Sequence, residues 1–228
     1  MKMVVDARQQ YFPELADVLS KLDHDARSPL TAISGYAECL GWLSVTDAEA
    51  RERYAAAVVG QARRLGRLIA NAATLAGPQA DAPLVEIEVA KAVDEALREL
   101  AGTIGLQGIG VSVQVPAAPV NVLWGRAALS QLLVATLESV IDGAGESATI
   151  AIAVSAQPRE VAMEISLRSS WPVPFSLESF AFRAAAHLVG TRGGSLRWQD
   201  GPEPHLELRL PFSGRLAIRP AEGLERSA

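Results

Sequence analysis

The chain has 228 residues, of which 49% are hydrophobic and 21% are charged, and its formal net charge is −5 at pH 7. This apolar fraction is that of a globular chain with one large or two small cores, which excludes disorder of the whole chain. An acidic chain is not expected to bind nucleic acid through a basic surface. Cys39 is the single cysteine, so a disulfide framework and a four-cysteine zinc site are excluded within one chain.

The sequence shows no sign of a membrane segment or of export. No stretch approaches 18 uninterrupted apolar residues, and the apolar run at the N-terminus is too short for a signal peptide. We therefore expect a cytoplasmic protein that does not contact a membrane. The first 80 residues are balanced in charge, and the rest of the chain carries the net negative charge.

Two long helices are predicted at the start of the chain. In the first, apolar residues recur at steps of three and four and form one stripe, close to a heptad seam: Leu15, Leu19, Leu22, Ala26, Leu30, Ile33, Ala37 and Leu40. Thr46 and Glu49 predict a capping box at the start of the second helix. The second stripe has the same spacing: Tyr54, Val58, Gln61, Leu65, Leu68, Ala72 and Leu75.

A short connection between two long helices predicts an antiparallel hairpin. Two stripes can bury each other only in part, and a four-helix bundle made by two chains buries them better. We therefore predict a homodimer. Residues 77–83 are rich in proline, glycine and alanine and read as a linker.

An α/β region is predicted after the linker. Helices are expected at 89–100, 127–141 and 177–189, with Gly193 and Gly194 ending the last one. Strands are expected at 109–115, 149–154, 161–167, 195–198 and 206–210. This order predicts an α+β chain that has a helical hairpin (1–78), a sandwich of one sheet under a helical layer (84–213) and a loose tail (214–228).

His24 is the candidate chemical group of the first helix. It lies two residues from the stripe positions Leu22 and Ala26, so the helical period predicts an exposed imidazole. A neutral imidazole can accept a phosphoryl group, a reaction that needs little more than a nucleophile held in line. Asp25 can orient the ring or take its proton, and Arg27 can contact phosphoryl oxygens.

Pro29 lacks an N–H, so a kink or a loosened turn is expected beside His24. Taken alone, His24 is also compatible with an ordinary surface histidine among charged neighbours.

The residues from 24 to 33, His-Asp-Ala-Arg-Ser-Pro-Leu-Thr-Ala-Ile, resemble the phosphoacceptor box of sensor histidine kinases. Residues 49–54 and 64–69 are similar to the second helix of the dimerisation and phosphotransfer domain of that family, and the resemblance covers about residues 10–77. The ATP-binding domain of the family follows next, and residues 84–212 look like one. Its opening is matched at 85–89 and its closing helix, turn and strands at 184–211.

The nucleotide-binding residues that this resemblance implies are missing. Ala135 and Ser139 stand where the magnesium-binding helix of the family carries two asparagines, and Glu138 alone can offer a carboxylate there. Ser169 replaces the aspartate that reads the adenine amino group, and Trp171 and Val173 replace glycines.

The second glycine box and the lid over the phosphates are also absent, since residues 174–178 leave no room for them. The resemblance therefore implies an ATPase-like fold that no longer binds ATP or its metal.

Together these observations predict a histidine phosphotransferase that relays a phosphoryl group between response-regulator aspartates. His24 is the expected phosphoacceptor, assisted by Asp25, Arg27 and Ser28. The expected partners are a second copy of the chain, receiver domains that bring their own Mg²⁺, and an upstream hybrid histidine kinase. No cofactor is expected on this chain.

Two alternatives stay open. The first is an ATP-dependent histidine kinase with an atypical nucleotide site, and the second is a non-catalytic pseudokinase scaffold that regulates a kinase or a response regulator. A phosphatase role is a variant, because family members that dephosphorylate receivers carry an acid and a Thr or Asn at the positions of Asp25 and Ser28. The serine disfavours that role.

Overall fold

The computed structural model describes residues 15–42, 47–76, 83–144, 147–169, 176–201 and 204–212. Several predicted features lie outside the described residues: Thr46 of the capping box, most of the linker, Trp171, Val173 and the tail. The proposed boundaries at 78, 84 and 213 therefore stay predictions.

The two predicted helices are present and pack against each other. Helix α1 covers Leu15–Trp42 and α2 covers Ala48–Ala76. The rings of Tyr36 and Tyr54 lie 6.0 Å apart where α1 ends and α2 begins. At the other end, Val18 and Leu75 belong to one buried cluster. These two contacts show that the hairpin is antiparallel, as predicted.

The start of α2 is capped by Asp47. Its carboxylate accepts a hydrogen bond from the Ala50 backbone N–H at 3.2 Å, which is the position of a capping side chain. Asp47 therefore caps α2, whereas Thr46 of the predicted capping box lies outside the described residues. Pro29 lies inside α1, which is assigned as one helix on both sides of it.

The apolar stripe of α1 stays partly open in the single chain. Val18 and Pro29 are buried, and neither is a stripe residue. By contrast, Leu19 and Leu30 on the stripe are 56% and 49% exposed. One hairpin with one α/β domain thus leaves part of the α1 stripe in contact with solvent.

The α/β domain contains three helices and seven strands within the described residues. The helices are α3 (Val89–Leu106), α4 (Arg126–Ala144) and α5 (Phe180–Gly190). The strands are β1 (Val85–Glu88), β2 (Gly110–Gln114), β3 (Asn121–Trp124), β4 (Thr149–Ala156), β5 (Glu160–Arg168), β6 (Ser195–Gln199) and β7 (His205–Pro211).

Five of the strands form one mixed sheet in the order β2-β4-β5-β7-β6. Only the β2–β4 pair is parallel, and the other neighbours are antiparallel. Strands β1 and β3 form a separate antiparallel pair. Alternate residues of β4 and β7 are buried, so one face of the sheet packs under the helices.

Helix α4 lies at the centre of the domain. Thirteen of its residues are buried, including consecutive positions from Leu132 to Ile141. A helix that is apolar on all sides is expected to be covered on all sides. It packs against α3 and α5 within the domain, and the hairpin lies against a further side of it.

The sequence predicted the type and order of most of these elements. However, α3 ends at Leu106, six residues after the predicted end, and β1 was matched only as the opening of a domain and not predicted as a strand. Helix α5 starts at Phe180, three residues after the predicted start, because the Ser179 hydroxyl caps it by accepting from the Phe182 N–H. Strand β3 was not predicted. It has only four residues, too few for an alternating pattern, and it is held by its pairing with β1.

The end of α5 confirms the prediction at Gly193 and Gly194. Gly193 has a φ of 77°, which favours glycine, and its N–H donates to the carbonyl of Gly190. A side chain at Gly194 would collide with the Arg209 carbonyl and with Val189. The segment 190–194 is thus a helix end that packs tightly on β7.

Candidate functional site

The His24 imidazole is exposed, as the helical spacing predicted. Its side chain is 86% accessible, and its Nδ1 lies 2.9 Å from Oδ1 of Asp25. The neighbouring stripe residues Leu22 and Ala26 are half-buried. The ring therefore projects to the side of the seam, with Nδ1 turned to a carboxylate.

The other carboxylate oxygen of Asp25 forms an ion pair with Lys21. The Lys21 ammonium lies 3.5 Å from Oδ2, one helical turn away. Both side chains are largely shielded, with 29% of Lys21 and 25% of Asp25 exposed. Sequence reasoning missed Lys21, although the spacing of four residues between a lysine and an aspartate was a readable signal.

The two other predicted site residues do not contact His24 in this structure. Arg27 donates to Oδ2 of Asp23 at 2.6 Å, so its guanidinium is engaged one turn back along the helix. Ser28 is exposed on α1, next to the buried Pro29. The structure thus brings His24 and Asp25 together and leaves Arg27 and Ser28 beside them on the surface.

A charged interface lies between α2 and α4. Arg64 forms an ion pair with Asp142 at 3.1 Å. Partial burial raises the pKa of the Asp142 carboxyl, Arg64 and Arg67 oppose the rise, and the negative charge of Asp25 adds to it. The end of α4 is therefore within electrostatic range of the acid beside His24.

The second ion pair of this interface is buried. Arg67 Nε donates to Oε1 of Glu138 at 2.9 Å, and 11% and 5% of the two side chains are exposed. Oε2 of Glu138 is buried without a partner among the described residues. Burial raises the pKa of Glu138, although the charge of Arg67 lowers it.

The two positions that the resemblance aligns with magnesium-binding asparagines are buried. Ala135 is 1% exposed and Ser139 is 3% exposed. The Ser139 hydroxyl donates to the carbonyl of Thr136 at 2.7 Å. Glu138, the one carboxylate that the sequence offered for a metal, is engaged with Arg67. These three side chains point into packed protein and present no open ligand set.

The N-terminus of α5 also packs on the hairpin. Phe180 is 1% exposed and shares a cluster with Val18, Ala72 and Leu75. Nearby, the Gln131 side chain of α4 donates to the Thr74 hydroxyl at 2.6 Å. In sequence, Phe180 follows residues 174–178, which are too few for a nucleotide lid.

Comparisons with known proteins agree with the architecture. The family of the His Kinase A (phospho-acceptor) domain matches residues 14–79. The Acinetobacter baumannii histidine kinase AdeS has a TM-score of 0.58 at 12% identity and covers 84% of this chain and 98% of its own. A histidine kinase from Burkholderia phymatum has a TM-score of 0.50 at 16% identity and covers 87% and 92%.

Histidine kinase ThkA in complex with response regulator protein TrrA is also similar, with a TM-score of 0.58 at 14% identity, covering 90% of this chain and 64% of its own. At such identities the likeness shows the fold alone. No curated protein sequence matches the chain.

The fold and the domain match define a histidine kinase-like core. In particular, residues 14–79 match the His Kinase A (phospho-acceptor) domain family, and the fold of the chain is similar to that of the catalytic domain of histidine kinase ThkA, with a TM-score of 0.50 at 14% identity. The resemblance stated from the phosphoacceptor box is thus confirmed.

One described helix, α4, is long and apolar enough to cross a membrane by length and composition. Most of it, 72%, is buried inside the protein, as in the core helix of a folded domain.

Proposed function

We propose that the chain is a histidine phosphotransferase that passes a phosphoryl group between response-regulator aspartates through His24, without binding ATP. The observation that carries this proposal is the exposed His24 imidazole with a carboxylate on its Nδ1, within a phospho-acceptor domain. The structure of ThkA with a response regulator protein supports a receiver domain as the partner.

The chemistry needs one nucleophilic nitrogen. With Nδ1–H donating to Asp25, Nε2 carries the free lone pair and attacks the phosphorus of an aspartyl phosphate. The Nε2–P bond forms as the acyl-phosphate P–O bond breaks, and the receiver carboxylate leaves. Asp25 stabilises the imidazolium, and Mg²⁺, when bound by the receiver, would neutralise phosphoryl charge. The reverse step phosphorylates the next receiver.

The absence of ATP binding is supported by the interior of the α/β domain. Ala135 has no ligand atom, Ser139 donates to its own helix and Glu138 is paired with Arg67. A magnesium–nucleotide complex needs several exposed oxygen ligands. Opening this face would expose the buried Arg67–Glu138 pair, and breaking such a pair costs about 3–5 kcal/mol.

The proposed partners include a second copy of the chain. The exposed stripe residues Leu19 and Leu30 of α1 are the apolar surface that a four-helix bundle would cover. An isologous pairing of two hairpins places one His24 on each protomer. We place this dimer in the cytoplasm, where receiver domains and a hybrid histidine kinase would reach it.

The experiment compares ATP and a phosphorylated receiver domain as donors of the phosphoryl group. The full chain is incubated with labelled ATP and Mg²⁺ in one reaction and with a phosphorylated receiver domain in another. A His24→Ala variant runs in each, beside His205→Gln as a matched control on the α/β domain. We expect label from the receiver only, lost in His24→Ala and kept in His205→Gln.

Other outcomes contradict the proposal in different ways. Label from ATP on His24 would identify a histidine kinase with an atypical nucleotide site. No label from either donor, across a panel of receivers, would favour a pseudokinase scaffold. Loss of the phosphoryl group from the receiver to water, without label on His24, would indicate a phosphatase.

A further inference from the structure

We propose that Lys21 is a positioning residue for His24, and that Phe180 of the α/β domain holds Lys21 in place. The proposal deepens the proposed function, on which its activity readout rests, since it concerns how the same imidazole is kept ready. It assigns the α/β domain a role at the phosphoacceptor that requires no nucleotide.

The carboxylate of Asp25 makes a contact at each of its two oxygens. Oδ1 faces Nδ1 of His24 at 2.9 Å and Oδ2 faces the Lys21 ammonium at 3.5 Å. A carboxylate with one contact can rotate about its last torsion, whereas two contacts on opposite oxygens oppose that rotation. Lys21 therefore steadies the group that orients the ring.

Lys21 lies between Asp25 and the α/β domain. Its side chain is 29% exposed, so solvent screens its charge less than on an open surface. The ammonium lies 6.0 Å from the centre of the Phe180 ring, within the range of a cation–π contact. Lys21 thus contacts α5 of the α/β domain as well as Asp25.

Phe180 is held in place by burial. The ring is 1% exposed and packs in the cluster with Val18, Ala72 and Leu75 of the hairpin. It cannot leave this cluster without exposing a large apolar side chain. The series of contacts from Phe180 to Lys21, Asp25 and His24 therefore joins a rigid point of the α/β domain to the phosphoacceptor.

The consequence concerns the proton on the imidazole. Which nitrogen of a neutral histidine carries the proton is set by the hydrogen bond that the ring makes. A steady Asp25 carboxylate keeps the proton on Nδ1 and leaves the lone pair on Nε2, the nitrogen available to a phosphoryl group. Without Lys21, Asp25 samples more orientations, and the tautomer with the proton on Nε2 gains population.

The test measures the tautomer directly in the full chain. The ¹⁵N resonances of the His24 ring are recorded at about pH 8 and are assigned with a His24→Gln variant. The variants are Lys21→Met, Lys21→Arg and, as a matched control, Lys91→Met, which removes an exposed lysine of α3 that pairs with Glu88. Phosphoryl transfer from a phosphorylated receiver is measured alongside.

We expect the wild type to show the proton on Nδ1. Lys21→Met should shift the ring resonances towards the other tautomer and slow transfer about two- to fivefold, the size that a partly exposed ion pair supports. Lys21→Arg should restore both readouts because it keeps the charge, and Lys91→Met should leave both unchanged. A Lys21→Met protein with wild-type ring resonances would overturn the proposal.

A second variant tests the contact with the α/β domain. Phe180→Leu keeps an apolar side chain in the cluster and removes the aromatic face under Lys21. A shift of the His24 resonances in the direction of Lys21→Met is expected, and wild-type resonances would refute the role of Phe180. The resonances do not depend on transfer, so a protein with the predicted tautomer and no transfer would disprove the proposed function alone.

Discussion

His24 and Asp25 are neighbours on one helix but differ in exposure. The His24 side chain is 86% exposed, whereas the Asp25 side chain is 25% exposed and forms an ion pair with Lys21. This arrangement suits the proposed transfer, because the exposed imidazole can meet an incoming phosphoryl group while the shielded carboxylate orients the ring.

Replacing the carboxylate tests this arrangement at the level of one residue. Asp25→Asn removes the negative charge that accepts from Nδ1, and we expect phosphoryl transfer to fall about a hundredfold, the lower range for an acid–base group. Asp94→Asn, an exposed aspartate paired with Arg98 on α3, is the control and should transfer normally. Equal rates in both variants would show that Asp25 does not assist His24.

Glu138 predicts a pH dependence of stability. Burial raises its pKa in the folded chain above the ordinary value of 4.5. Above about pH 4.5 the folded state therefore binds a proton that the unfolded state has lost, so this group's contribution to stability falls as pH rises through the raised pKa. Glu138→Gln stays neutral, and its free energy of unfolding should fall less over this range.

Urea unfolding at several pH values measures the effect. The exposed Glu99→Gln variant on α3 is the control and should follow the wild type. If the free energy of unfolding of Glu138→Gln changes with pH as that of the wild type does, from pH 4.5 upwards, the Glu138 carboxyl does not hold the extra proton.

The α1 helix carries an apolar stripe that the single chain does not cover. Its buried residues, Val18 and Pro29, lie off the predicted stripe, while Leu19 and Leu30 on it stay about half exposed. Exposed leucines in register along a long helix are typical of an interface between helices. The exposed stripe of α1 is thus the observation that supports the proposed dimer.

A charge on that stripe should separate the protomers. We expect Leu30→Glu to change the mass measured by light scattering from that of two chains to that of one, because glutamate would be buried unpaired in the bundle. Leu84→Glu is the control, since Leu84 is 44% exposed and lies just before β1. A Leu30→Glu protein that remains dimeric would place the interface elsewhere.

The hairpin and the α/β domain are joined across the whole molecule by charged, polar and apolar contacts. Arg67 pairs with Glu138, Gln131 donates to Thr74, and Phe180 packs between the helices of the hairpin. The sequence separation of the Arg67–Glu138 contact is 71 residues. Helix α4 thus provides the side chains Glu138 and Gln131 that hold the α/β domain to the hairpin.

Breaking the buried pair should weaken this junction. Arg67→Met leaves the Glu138 carboxyl buried without its cation, and we expect a loss of about 3–5 kcal/mol in the free energy of unfolding. The double variant Arg67→Met/Glu138→Leu should recover most of this loss, because apolar side chains can replace a buried ion pair. Thermal or urea unfolding measures both, and a single variant as stable as the wild type would contradict the assignment.

The sequence by itself determined the local features of this protein. The helical period predicted both arms of the hairpin and the exposure of His24. The residue types at 135 and 139 gave the prediction that magnesium ligands are missing, which stays a prediction. These are properties of neighbouring residues, which a periodic pattern records. Most elements of the α/β domain could be predicted for the same reason.

Only the tertiary structure decided which distant groups meet. It paired β3 with β1, turned Glu138 from a possible metal ligand into the partner of Arg67, and placed Phe180 beside Lys21. These contacts join residues far apart in the chain, and their choice depends on how whole helices and strands pack. No local pattern contains that information, because burial and partner selection arise only when the elements come together.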